Sequence, residues 1–373
     1  MIIMDKQKYR KVAGDMLYLV ACAINGRTPS VSRINGMELA AVYALCEEHS
    51  LTAAAAYALE AAGIRNNDFV QAKEKAVRKN IILDADRQAV FQRFEEEKIW
   101  YLPLKGVLMK EWYPRLGMRQ MTDNDILFDP EKRERVRDIM TELGFSCRHY
   151  GLGKDDNYYR EPVSNFEMHF ELFISGIDNA PAVEYYKNVR ERLVRDEDNE
   201  YGYHFTDEDY YIYLIAHEYK HFILSGIGVR SLLDIFVYMN RFSDTLDWEY
   251  IGNELQKLGI YDFEKQSRNL AMKLFGFEKL STDEKKLLDY FVTSGTFGTL
   301  THMMERLTSE SQTTGAYVWR RIFPPMSIIR TYYPFYYKHK YLLPLLPVQR
   351  AAKALSVSRG KVRNELKFLL GKK

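Results

Sequence analysis

The sequence predicts an α+β fold in which a small mixed β-sheet is flanked by helical regions on its N-terminal and C-terminal sides. Three observations predict it. Residues 1–97 carry apolar side chains at helical spacing, residues 98–206 switch to short runs with period-two alternation, and residues 207–373 return to helical spacing. At 373 residues the chain is two to three times a typical domain of about 100–150 residues. The three stretches are therefore read as an N-terminal helical region, a central core and a C-terminal helical region.

The first stretch includes MELAAVYALCEEHSLTAAAAYALEAAG, rich in Ala and Leu and ending at Gly63, and a long helix from about Asp68 through Glu97. Ile99 to Leu102 then form a strand-like run stopped by Pro103. After the Leu104-Lys105-Gly106 turn the spacing predicts a short helix over Val107–Trp112, a strand over Asp123–Phe128 and a helix over Glu131–Leu143, opened by Pro130 and closed by Gly144. Further strands are expected at Phe145–Tyr150 and Tyr158–Arg160. Strict alternation over Phe166–Leu172 sets Glu167, His169 and Glu171 on one polar face. Helices follow over Glu208–Leu224, Arg230–Phe242 and Trp248–Leu258 and onward to about Leu307. An aromatic cluster, Tyr332 to Tyr337, precedes a final basic helix over Ala351–Leu370.

A content of 46% hydrophobic and 28% charged residues with only 11 Pro excludes a disordered or fibrous chain. The opening residues lack the small-residue cleavage pattern of a secretory signal, and no run approaches the roughly 20 apolar residues that span a bilayer. Cys22, Cys46 and Cys147 are spaced neither as a disulfide framework nor as a zinc cluster. A cytoplasmic protein without a membrane span is expected. The net charge of +2 hides an asymmetry, since the residues from Arg320 onward hold 13 Lys and Arg against the single acid Glu365. Such a tail suits nucleic acid, an anionic membrane surface or an acidic partner, but it equally suits a solvated helix face or the chain's own acidic body, and the bland readings are preferred.

The chemistry is concentrated in Met121-Thr122-Asp123-Asn124-Asp125-Ile126-Leu127-Phe128. Two aspartates one residue apart on a strand point to the same side, and like charges that close call for a cation. A hard divalent ion with oxygen ligands supplies it, bridging carboxylates to substrate phosphates. Upstream, the Lys105-Gly106 turn offers free N–H groups at a helix start to a phosphate. Downstream, Glu167 offers a third carboxylate.

The run LKGVLMKEWYPRLGMRQMTDNDILF resembles an uncharacterised bacterial nucleotidyltransferase family, a branch of the polymerase-beta-type nucleotidyltransferase superfamily. FEMHFEL is similar to its acidic-x-His strand, YLIAHEYKHF to its His-x-x-Lys-His helix, RSLLDIF to a following helix, and FPPMSIIRTYYP with LLPVQR to its C-terminal segment. The resemblance implies a nucleotidyltransferase core over residues 98–206 that moves a nucleoside monophosphate from a triphosphate such as ATP to a hydroxyl-bearing acceptor. It implies Asp123, Asp125 and Glu167 as catalytic metal ligands for Mg²⁺, with Mn²⁺ as substitute. Lys105, Gly106, Arg119 and His169 become the candidates to hold the nucleotide. Where the wider superfamily has Gly-Ser or Gly-Gly, this chain has Lys105-Gly106 and a longer gap, so Lys105 or Arg119 is expected to take over the serine's phosphate contact. Glu167 stands where aspartate is more usual. The nucleotide and the acceptor are not legible.

Two alternatives compete with an active transferase. One is a catalytically inactive relative that binds nucleotide or serves as a scaffold. The other is a zinc metallopeptidase, because His217-Glu218-Tyr219-Lys220-His221 fits H-E-x-x-H, with a third ligand to be sought at Asp234 or beyond. A nucleic-acid acceptor is conceivable from the basic, aromatic tail but is not favoured, a packing seam being the preferred reading of Tyr332 to Tyr337.

Overall fold

The computed structural model of the chain describes residues 6–151, 153–175, 178–224, 226–295, 323–324 and 326–350. Its architecture is the expected α+β arrangement of a five-stranded mixed sheet, a two-stranded hairpin and helical flanks.

Helices α1 (Lys6–Ile24), α2 (Val31–Asn35), α3 (Leu39–His49) and α4 (Thr52–Ala61) open the chain. The alanines of α4 have a packing reason: Ala53, Ala54, Ala55, Ala56 and Ala58 are buried, and their small side chains let α1 and α5 approach closely. Helix α5 (Asn67–Glu96) starts where the Asn66 side chain accepts from the N–H groups of Asp68 and Phe69. Its 30 residues run about 45 Å. That length lets Phe69 join one hydrophobic cluster and Leu83, Val90 and Phe94 another.

The sheet has the order β1-β2-β5-β4-β3, from β1 (Tyr101–Pro103), β2 (Asn124–Phe128), β3 (Ser146–His149), β4 (Asp155–Arg160) and β5 (Ser164–His169). Only β2 and β5 run parallel; the other pairs are antiparallel. Helix α6 (Gly106–Met109) and one 3-10 turn join β1 to the loop before β2, and α7 (Arg133–Glu142) joins β2 to β3. The strand edges differ from the sequence expectation by one to three residues at several places, and two of these differences have local hydrogen-bonding reasons. The Ile99 N–H closes α5 on Phe94 O, so β1 starts at Tyr101. The N–H groups of Phe170 and Glu171 both turn to Lys154 O, so β5 ends at His169 and Glu171 leaves the sheet.

Alternation sends the two faces of the central strands to different cores. Ile126, Phe128, Phe166 and Met168 pack with α5 and α7, whose buried residues include Leu83, Val90, Phe94, Val136, Ile139 and Met140. Leu127 turns the other way, into a larger cluster that combines residues of the first four helices with residues of the C-terminal ones. Those are α8 (Ala180–Tyr185), α9 (Asp207–Leu224), α10 (Val229–Phe242), α11 (Trp248–Lys257), α12 (Tyr261–Phe275) and α13 (Thr282–Ser294), entered through the hairpin of β6 (Leu193–Arg195) and β7 (Tyr203–Phe205). Buried His49 links the two ends: its Nδ1 accepts from Val229 N–H at 3.3 Å, which leaves Nε2 to donate to Val292 O at 3.0 Å. Helices α14 (Met326–Tyr332) and α15 (Pro334–Lys338) follow. The basic helix expected over 351–370 and the helical stretch expected beyond residue 295 lie outside the described residues. Among the described residues no helix is long and apolar enough to cross a membrane.

Candidate active site

The parallel pairing of β2 with β5 positions the acids. Asp125 is directly opposite Glu167 in the register, and Leu127 is opposite His169, so both pairs share the face that looks away from α5 and α7. Ligand atoms of Asp125, Glu167 and His169 all lie within 4.8 Å of one another. Asp123, just ahead of β2, keeps the same parity. Between the two aspartates, Asn124 faces the opposite way and anchors the strand: its Nδ2 donates to Leu83 O at 2.9 Å and its Oδ1 accepts from Arg87 Nη1 at 3.1 Å. The D-x-D spacing thus gives two acids to the cavity and one amide to the α5 side.

A cavity opens above these acids. Its walls include Lys105, Gly106, Arg119, Gln120, Thr122, Asp123, Asp125 and Glu167 from the sheet side, and His217, Glu218, His221, Gly228, Arg230, Ser231 and Asp234 from α9, α10 and the bend between them. Six of the seven sequence candidates line it. His169 does not: it is fully buried behind Asp125, donating from Nε2 to Asp125 Oδ1 at 2.8 Å. Lys154 Nζ lies 3.1 Å from its Nδ1. The ionised Asp125 carboxylate can only accept, so the proton resides on Nε2 and Nδ1 is left to accept from Lys154.

Lys105 reaches into the site from a backbone at φ 44°, a conformation that costs a non-glycine residue about 1–3 kcal/mol. Tyr210 of α9 steadies that peptide by donating to Lys105 O at 2.8 Å. The Lys105 ammonium lies 3.0 Å from Asp125 Oδ1. Gly106 is required by space: a Cβ there would stand 2.4 Å from Arg119 Nη1. Arg119 borders the cavity but is already engaged, its Nε and Nη2 donating to the two oxygens of Asp234 at 2.9 and 2.8 Å, while Tyr113 OH donates to Asp234 Oδ1 at 2.6 Å.

Burial and crowding push the acids apart. Burial, then the Asp125 charge, raise the Asp123 carboxyl to about 6. Burial, then the charges of Asp125 and Asp123, raise Glu167 to about 8. Burial would also raise Asp125, but Lys105 and the hydrogen bond from His169 overcome it and hold that carboxyl well below its usual range. Burial and the Lys154 charge lower His169 to about 4, keeping it neutral. Two of the three neighbouring carboxyls are thus raised above their usual range where no cation compensates them, Glu167 the more strongly. An oxygen-rich donor set of this kind fits a hard divalent cation.

The helix wall was the part that sequence reasoning placed outside the core. His217 and His221 sit one turn apart on α9 with their Nε2 atoms 3.1 Å apart, both held neutral by burial and by the nearby lysine charges. The intervening Lys220 turns away to Asp178, at 3.0 Å. Glu218 is 4% exposed and its carboxyl is raised well above the usual range, first by burial and then by Asp234. Arg230 was missed altogether. The available signal was a cation in the first turn of a helix following a glycine, Gly228-Val229-Arg230, four residues ahead of Asp234, the one acid of that helix.

The model of one protein family, described as uncharacterised nucleotidyltransferase, matches residues 35–276. That span takes in the acids, the Lys105 turn and both helices of the far wall. No curated protein and no solved structure matches the chain.

Proposed function

The chain belongs to the uncharacterised nucleotidyltransferase family, and from that premise we propose that it transfers a nucleoside monophosphate from a nucleoside triphosphate to a hydroxyl-bearing acceptor in a Mg²⁺-dependent reaction. The observation that carries the reading is the register of Asp125 against Glu167, which brings acids more than forty residues apart in sequence to one cavity floor.

Asp123, Asp125 and Glu167 are the residues that would hold the cation. When bound, a divalent ion supplies charge neutralisation of the triphosphate and acidifies the acceptor hydroxyl. The chain's own groups do the rest by positioning. His169 orients Asp125 through its Nε2–H, with Lys154 against its Nδ1. Lys105 stands where it can move from Asp125 to a phosphate oxygen. The acceptor oxygen attacks the α-phosphorus, the bond to the bridging oxygen of the β-phosphate breaks, pyrophosphate leaves with that electron pair, and the hydroxyl proton passes to Glu167 in its ionised form.

The zinc-peptidase alternative finds little support. Asp234 has both oxygens engaged by Arg119 and Tyr113 and is not free as a third ligand, and burial raises the Glu218 carboxyl well above its usual range, against a role as general base. The direct test is Mg²⁺-dependent triphosphate binding by the wild type and by Asp123→Asn and Asp125→Asn, with folding checked by circular dichroism. Both variants are expected to stay folded and lose the Mg²⁺-dependent binding; unchanged binding would refute the proposal. Binding without pyrophosphate release across acceptors would leave a nucleotide-binding protein in place of a transferase.

A further inference from the structure

Three cations border the cavity: Lys105, Arg119 and Arg230. Lys105 faces Asp125 and Arg119 is chelated by Asp234. Among the described residues Arg230 makes no ion pair; its one side-chain hydrogen bond is a long one, 3.3 Å from Nη1 to Gln120 O. Burial and the like charge of Arg119 lower its basicity. A guanidinium with five donors, one weak acceptor and a like-charged neighbour is short of an anion.

The surroundings agree. Arg230 lies in the first turn of α10, a helix of 14 residues whose N-cap, Gly228, has extended backbone and no side-chain cap. In that turn the Val229 N–H already donates to His49 Nδ1 and the Ser231 N–H and hydroxyl to Gly228 O, so what the turn offers an anion is the Arg230 guanidinium at the positive end of the helix dipole. Gly228, Arg230 and Ser231 all border the cavity. Beside them Glu218 is nine-tenths buried or more, borders the same cavity, and forms no hydrogen bond or ion pair among the described residues. In its protonated form it offers a donor and not a competing charge. The Arg119–Asp234 pair cancels, so this wall presents the single positive charge of Arg230 across from the acids on the floor.

Building on the nucleotidyl-transfer reading, we propose that Arg230, at the start of α10, seats the terminal phosphates of the triphosphate, the end that leaves as pyrophosphate. The cavity then has the polarity of its substrate, with cation-binding acids at the reacting end and an unpaired guanidinium at the leaving end. Arginine suits the task because its planar fork meets two phosphate oxygens at once.

The test is calorimetric titration of the full chain with inorganic tripolyphosphate in Mg²⁺, which removes the unknown base from the problem. Arg230→Gln is expected to weaken binding by about tenfold or more, as for loss of a charge-assisted hydrogen bond. Mg²⁺ binding measured alone is expected to be unchanged, and Arg230→Lys should restore part of the affinity. Equal affinity of wild type and Arg230→Gln overturns the assignment, as does a wild type that fails to bind tripolyphosphate. If Arg230→Gln does not fold, Arg230→Lys decides, since equal affinity in that variant together with an unchanged dependence on salt overturns the assignment. Asp125→Asn separates the two levels. Loss of Mg²⁺ dependence there with normal binding by Arg230→Gln defeats the phosphate seat alone, whereas binding that ignores both Mg²⁺ and Asp125 defeats the parent reading.

Discussion

Two buried cation–carboxylate pairs border the same cavity and differ in how completely they are satisfied. Asp234 has both oxygens filled, by the bidentate Arg119 fork and by Tyr113 OH. Asp125 has one oxygen, Oδ1, shared by Lys105 and His169, and it neighbours two carboxyls raised above their usual range. The first pair is closed and holds the helix wall to the Arg119 loop. The second is open, rests on a backbone at φ 44° and has room for another partner. A saturated pair reads as architecture, and an unsaturated pair of the same chemistry reads as a site.

The contrast breaks most visibly when each acid is neutralised. Asp125→Asn should reduce nucleotidyl transfer by at least about 10²-fold, the scale for removing one preorganised electrostatic contact, while costing less stability than loss of Asp234, since only one of its oxygens is engaged. Asp234→Asn should do the reverse in stability: it strands a buried guanidinium, and breaking a buried pair costs about 3–5 kcal/mol. Urea denaturation paired with a transfer assay checks both. If Asp125→Asn proved the more destabilising of the two, the division into closed and open pairs would be wrong.

A pH series sharpens it. Glu167 is raised from 4.5 to about 8 and Asp123 from 3.8 to about 6, so the folded protein binds these protons more tightly than the unfolded chain. Their contribution to stability is fully present below pH 4, and it is lost as pH rises through about 6 and then about 8. Chelator-treated protein should therefore lose melting temperature over that window. Saturating Mg²⁺ should reduce the loss by favouring the ionised acids, and Glu167→Gln should flatten the upper part of the slope. A slope indifferent to both would show that the acids do not share a cation.

Much of the open pair was legible in the sequence, and little of the closed one was. The D-x-D of Asp123 and Asp125, the alternation that set Glu167 and His169 on one face, and the Lys105-Gly106 turn are all local patterns, readable because strand parity and turn chemistry act over a few residues. The parallel register that brings Glu167 beside Asp125 is not local, and neither is the pairing of Arg119 with Asp234, 115 residues apart. Arg119 was accordingly read as a phosphate contact, although the acid that occupies it sits on a helix assigned to another region. Arg230 was hidden for the same reason. Alternation puts His169 on the face of the acids, and the resemblance made it a nucleotide contact; its burial behind Asp125, with β5 ending against the Lys154 loop, is not foreseen by alternation.

The smallest expected effect isolates the backbone beneath the open pair. At Lys105, Gly and Ala both remove the ammonium that faces Asp125, so both variants should lose triphosphate affinity to the same degree. They differ in the conformation they must adopt. At φ 44° an alanine retains the steric penalty of a side chain in a left-handed region, whereas glycine does not. Lys105→Gly should thus be more stable than Lys105→Ala by about 1 kcal/mol, even though glycine loses more freedom on folding. Equal stabilities would mean that the turn relaxes once the lysine is gone, and that the ammonium's attraction to Asp125, held in place by Tyr210, is what maintains the strain. A clear advantage for glycine would show instead that the turn is imposed by β1, α6 and the Leu104 N–H to Asp125 O hydrogen bond, with the lysine retained there at a standing cost to stability.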